Sequence, residues 1–169
     1  NSPKQYENCH CFPSIYKDIE QYTPKIVVSK NTDIISVYGA KKDINFDFFI
    51  KDYVKSIKTE KGVERLSKDI KDLSLYAKVH EFIGERGSLF TGGLVFKEFV
   101  DLKKVDGKTS EWRAFYFYGE LLDLSNNSDG DNKNTPPKEF IKYMGSIVAK
   151  KSNFFTIDVA HVEKCNTWV

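Results

Sequence analysis

Four short stretches place charged side chains in otherwise apolar settings. In Ile50-Lys51-Asp52-Tyr53-Val54-Lys55-Ser56, strand alternation puts Lys51, Tyr53 and Lys55 on one face, with the two lysine stems leaving it about 13 Å apart. Stems of that length can converge on one polyphosphate, or simply be solvated at a strand end. In Phe90-Thr91-Gly92-Gly93-Leu94-Val95-Phe96-Lys97-Glu98-Phe99-Val100-Asp101, paired glycines permit close approach of the backbone to a ligand or another strand. Lys97, Glu98 and Asp101 interrupt the apolar run that follows. In Ser110-Glu111-Trp112-Arg113-Ala114-Phe115, Glu111 and Arg113 share a face, as a structural ion pair or as an anion-binding pair in a cleft. In Phe154-Phe155-Thr156-Ile157-Asp158-Val159-Ala160, a lone carboxylate sits among apolar residues, where it needs an ion-pair partner, hydrogen bonds or a metal.

The elements that must carry these residues follow from periodicity. Through about Tyr22 the chain reads as short helical pieces, and Lys25–Ser29 begins a strand. Ile34–Tyr38 is a β-branched patch closed by Gly39, and Phe46–Val54 is a strongly apolar strand. Between about Glu60 and Arg86 the apolar residues, from Leu66 to Ile83, fall at helical spacing, with Gly87 as terminator. An antiparallel meander is expected from Leu94–Leu102, Glu111–Tyr118 and Leu121–Leu124, with tight turns at Asp106-Gly107 and Gly119. Asn126–Pro137 is a polar loop, Pro137 opens a helix with an apolar stripe from Phe140 to Val148, and Asn153–His161 is a strand. Strands and helices are partly segregated, which makes the chain α+β.

Composition narrows the function classes. At 169 residues with 40% hydrophobic and 14% aromatic content, the chain suits one compact domain or a composite of two lobes. With 26 basic against 24 acidic residues, the net charge of +2 gives no field that would favour nucleic acid or an anionic membrane as partner. No apolar run reaches membrane-spanning length and no signal-peptide pattern opens the sequence, so a cytoplasmic protein is expected. Three cysteines, two of them separated only by His10, suit reduced thiols better than disulfides, and Cys9-His10-Cys11 lacks a second pair to complete a zinc site. Lys104-Val105-Asp106-Gly107 matches the short Lys-x-Asp-Gly core of nucleotidyltransferases, but Asp-Gly is equally what a hairpin requires.

In order and spacing, the four stretches resemble the ATP-grasp fold, particularly its clade labelled for two arginines and a lysine, whose members are similar to amide-forming ligases. The resemblance runs from about Lys25 to Val169 and implies two small lobes with antiparallel sheet and flanking helices. It implies a segment over 1–40, a smaller lobe over about 41–100 and a larger one over about 101–169. On that resemblance Lys51, with Lys55 as second candidate, contacts the phosphates of ATP, and the backbone of Phe99 and Val100 beside Glu98 meets adenine. Glu111 suits the ribose hydroxyls, Arg113 faces the transferred phosphoryl group, and Asp158 is the first magnesium ligand. Lys97 stands where the clade usually has an arginine, keeping the charge but losing the bidentate fork. The implied substrates are a small-molecule or peptide carboxylate and an amine, joined through an acyl phosphate. The alternative is a catalytically inactive module that binds nucleotide or docks a protein. The family continues past the position of Trp168-Val169 with another metal-binding strand, so the sequence reads as cut before it or as degenerate there, the apolar ending favouring the former.

Overall fold

A capping box starts the first helix: the Gln5 amide donates to the Ser2 hydroxyl at 3.2 Å, the Ser2 amide donates to the Gln5 side chain at 2.8 Å, and Pro3 takes the first helical position. This helix, α1 (Pro3–His10), is followed by α2 (Phe12–Ile19) and a 3-10 turn. The structure, a computed structural model, describes residues 1–58, 62–126 and 134–169. Most of the polar loop expected over 126–137, and Glu60 at the start of the expected helical stretch, lie outside the described residues. The chain forms two compact units, one of residues 24–99 and one combining 1–23 with 100–169.

The unit of residues 24–99 contains β1 (Ile26–Ser29), α3 (Ile34–Lys41), β2 (Phe48–Asp52), α4 (Asp72–Arg86) and β3 (Leu94–Glu98). Its strands form an antiparallel sheet in the order β1-β3-β2. Leu94, Val95 and Phe96 are all fully buried, as a central strand requires. Phe48, Leu94 and Phe96 pack with Val37 and Ala40 of α3 and Leu75, Val79 and Phe82 of α4. Residues one step out of phase, Phe49, Lys51, Val95 and Lys97, occupy the other face.

Two expectations fail in this unit. Ile34–Tyr38 is helical, because the Asp33 carboxylate accepts the Ser36 amide at 3.0 Å and the Ser36 hydroxyl at 2.7 Å, an N-cap that overrides β-branched propensity. Leu66 is extended instead of helical: it exchanges two hydrogen bonds with Phe48, at 2.9 and 2.7 Å, and the helix begins only at Asp72.

The other unit holds β4 (Lys104–Val105), β5 (Lys108–Thr109), β6 (Glu111–Phe117), β7 (Glu120–Asn126), α5 (Lys138–Val148) and β8 (Phe154–Ala160). Its main sheet is antiparallel in the order β7-β6-β8. The expected meander is therefore divided: β3 belongs to the first sheet, where β1 and β2 satisfy both its edges, while β6 and β7 pair in the second and β4 and β5 form a separate short hairpin. Both expected turns are present, since Asp106-Gly107 and Tyr118-Gly119 have φ of 51°, 79°, 48° and 82°, the positive values of a two-residue hairpin loop. Ala114, Tyr116, Phe155 and Val159 pack on Ile141 and Val148 of α5 and Ile15 of α2. The last residues run back beside β8, Val169 and Ala160 exchanging hydrogen bonds at 2.9 and 3.0 Å.

Candidate functional site

Lys51 and Lys97 lie diagonally across β2 and β3 on the sheet face away from the helical core, since Lys51 opposes Val95 and Lys97 opposes Phe49. Both are half-buried. Burial pushes the Lys97 ammonium down to about 8, and the charge on Lys51 adds to the effect. Burial also lowers Lys51 to about 8, opposed by Asp52 and reinforced by Lys55. Two cations that lose water on one face form a place where a polyanion is favoured.

Lys55 reaches its position differently from the sequence expectation. The strand stops at Asp52, where the Asp52 amide donates to the Lys55 carbonyl at 2.9 Å and Ser56 pairs back on Lys51. Lys55 thus belongs to a turn and not to the alternating face. The turn is built on Asp52, which is 0% exposed. Its carboxylate accepts the Val54 and Lys55 amides at 2.7 and 2.6 Å, the Arg86 guanidinium at 2.9 Å and the Thr91 amide at 3.2 Å. Desolvation alone would raise this carboxyl, but the amides and Arg86 outweigh it and hold it below the usual range. Neither Asp52 nor Arg86 stood out in the sequence, although an acid in phase with Ile50 and Val54 carried the same signal that drew attention to Asp158.

The paired glycines have a structural occupation. A side chain at Gly93 would run into the Ser29 carbonyl of β1, and one at Gly92, at φ 75°, into the Tyr53 ring. They admit a strand and a ring.

After β3, the Glu98 carboxylate accepts the Lys25 amide at 3.0 Å, and the Phe99 amide donates to the Asp47 carbonyl at 2.7 Å. The expected adenine-contacting stretch is thus anchored on both sides, with Val100 next in line.

In the other unit, Arg113 and Asp158 are opposed in register and form a bidentate pair, Nε to Oδ1 at 2.6 Å and Nη2 to Oδ2 at 2.8 Å. The hydrogen bonds from Arg113 to Asp158 raise the guanidinium further above its already high value. Asp158 is 52% exposed, so the burial cost anticipated for it does not arise; alternation turns it to the open face while Phe155 and Val159 go inward. Arg113 finds its partner across the sheet, whereas Glu111 on the same face accepts the Thr109 hydroxyl at 2.7 Å. Among the described residues no group of three or more His, Cys, Asp or Glu is arranged to hold a metal. Asp158 is an exposed carboxylate, the kind of single donor that suits a magnesium ion taking its remaining ligands from phosphate and water.

Sequence reasoning also missed the surroundings of His161. It is 4% exposed, stacks on Trp168 at 4.7 Å and hydrogen-bonds Asn134 through Nδ1, while the carbonyl of Asn134 accepts the Trp112 indole at 3.0 Å. These contacts join distant positions, and nothing in local pattern signals them.

The fold is shared with several proteins of known structure. The chain superposes on Cdc123 from Schizosaccharomyces pombe with a TM-score of 0.64 at 15% identity, covering 97% of this chain and 81% of that one. The ATP-grasp ligase PsnB, complexed with minimal precursor, Mg and ADP, gives 0.59 at 10% identity, covering 99% and 50%. N5-carboxyaminoimidazole synthetase from Staphylococcus aureus, complexed with ADP, gives 0.62 at 13%, covering 98% and 44%. The chain thus spans about half the length of PsnB. No curated protein sequence matches it. Residues 37–169 match the ATP-grasp domain family that is the third of the clade labelled for two arginines and a lysine, and the chain belongs to that family. Among the described residues no helix is long and apolar enough to cross a membrane.

Proposed function

We propose that this chain is the nucleotide-binding part of an ATP-dependent carboxylate–amine ligase that works through an acyl phosphate. The observation that carries the proposal is the pair Lys51 and Lys97, two half-buried cations on one sheet face of an ATP-grasp family member. In this reading they hold the phosphates of ATP, with Lys55 as an additional contact. The peptide backbone of Phe99 and Val100 beside Glu98 meets adenine; because the Phe99 amide is committed to Asp47, the Phe99 carbonyl and Val100 supply the contacts. Glu111 receives the ribose hydroxyls.

Arg113 stabilises the charge spread over the phosphoryl oxygens in transfer. A carboxylate oxygen of the acid substrate bonds to the γ-phosphorus as the bond to the ADP oxygen breaks. The amine then bonds to the acyl carbon, phosphate leaves with the electron pair of its C–O bond, and the amine loses a proton. Asp158 holds magnesium, which when bound neutralises phosphate charge. No protein nucleophile is needed. The acid would be a small molecule or a peptide.

Hydroxylamine tests the proposal, because it intercepts an acyl phosphate as a hydroxamate. The full native protein, given ATP, magnesium, hydroxylamine and a panel of acids including peptides, should form ADP, phosphate and hydroxamate in equal amounts. ATP binding without turnover on any acid would favour a nucleotide-binding docking module, a reading supported by the way Asp158 occupies Arg113 in both its contacts.

A further inference from the structure

Arg65 and Asp47 lie outside the residues assigned to the nucleotide, yet both converge on Phe99. The Arg65 guanidinium lies over the Phe99 ring, its central carbon 5.1 Å from the ring centroid. The same guanidinium donates to Asp47 Oδ2 through Nε at 3.1 Å and Nη2 at 2.8 Å. Asp47 Oδ1 accepts the Lys68 amide at 3.1 Å, and the Asp47 carbonyl accepts the Phe99 amide at 2.7 Å. One acidic residue therefore fixes Phe99 twice, by its own main chain and through Arg65. A residue held at its amide and at its ring has little freedom left in φ and χ1. The planar peptide group that follows, between Phe99 and Val100, then departs from a fixed Cα and is left one torsion, ψ of Phe99, about which to turn.

We infer that Arg65 and Asp47 are positioning residues for base recognition: they preset the Phe99–Val100 peptide group against which the purine of ATP is read. This deepens the functional reading above and rests on it. The bracket acts at the base end, and the phosphate contacts belong to Lys51 and Lys97. It should therefore affect binding of a nucleoside triphosphate but not of bare triphosphate, a separation that general loss of structure would not produce.

The test is calorimetric titration of ATP and of inorganic triphosphate into the wild-type protein, Arg65→Ala, Arg65→Lys and Asp47→Asn, with hydrogen exchange of the Phe99 amide followed in each. Arg65→Ala should lower ATP affinity about fivefold while triphosphate affinity changes less than about twofold, consistent with loss of one partly exposed cation–ring contact and its ordering effect. Arg65→Lys should recover part of the loss, Asp47→Asn should show the same selectivity, and Phe99 exchange should quicken in Arg65→Ala. Unchanged ATP affinity in Arg65→Ala, or equal losses for ATP and triphosphate, would overturn the inference. Failure of the wild-type protein to bind ATP would instead overturn the functional reading beneath it.

Discussion

Replacing Lys97 with Met should stabilise the free protein and weaken its hold on ATP. Lys97 falls from the ordinary 10.5 to about 8, chiefly through burial and additionally through Lys51. That fall corresponds to roughly 3 kcal/mol, the cost of keeping the ammonium charged in the folded state at neutral pH. The folded value lies below the unfolded one, so between pH 8 and 10.5 the unfolded chain binds more protons and stability contributed by this group rises with pH. Below about pH 8 the whole cost is present. Methionine has a similar stem and no charge, so Lys97→Met should gain about 1–3 kcal/mol at pH 7, allowing for imperfect packing. Urea denaturation of both proteins at pH 7, 9 and 10.5 reads this directly, and the difference between the proteins cancels the titration of shared groups. The gap should narrow above pH 8 and vanish near 10.5. A variant less stable at pH 7, or a gap independent of pH, would refute the argument that the lysine face is prepared at a cost to folding.

Other substitutions separate structure from binding. Asp158→Asn breaks a pair whose side chains are 40% and 52% exposed, so stability should fall by less than about 1 kcal/mol in thermal melts, while strengthening of ADP binding by magnesium is lost. Asp52→Asn leaves Arg86 without its buried counter-charge and should cost about 3–5 kcal/mol, read as a large fall in denaturation midpoint. The stability contributed by Asp52 is present above the unfolded carboxyl value and is lost as pH falls through the lower folded one, so the wild-type advantage over Asp52→Asn should shrink in strong acid. Gly93→Ala should destabilise by about 1–3 kcal/mol, because β1 must move to admit a methyl group beside the Ser29 carbonyl.

Local chemistry makes part of this legible. Asp106-Gly107, the apolar stripe of α5 and the pattern of β6 and β8 are each encoded within a few residues, and each is found where periodicity puts it. Sheet membership is not local: nothing inside Leu94–Glu98 says whether it pairs with β1 and β2 or with the hairpin that follows. Ile34–Lys41 misleads because its β-branched composition points to a strand, while the cap that decides for a helix, Asp33, stands one residue earlier. The lysines can be picked out by type and spacing, but their shared face depends on the register between β2 and β3, with the whole of α4 intervening in the chain. Arg113 is conspicuous beside Glu111 on its own strand; its partner comes from the cross-strand register with β8. Asp47 and Arg65 give no sequence signal, since their link to Phe99 exists only once the strands are assembled.

Proton uptake on ATP binding tests the central claim most directly. At pH 8 two lysines with values of about 8 are each about half deprotonated, and phosphates bound against them restore the charge. Calorimetry of magnesium–ATP binding at pH 8, repeated in buffers of different ionisation enthalpy, should give an uptake approaching about one proton per nucleotide, reduced in Lys51→Ala along with a large loss of affinity. No binding, or binding without proton uptake and indifferent to Lys51→Ala, would contradict the account.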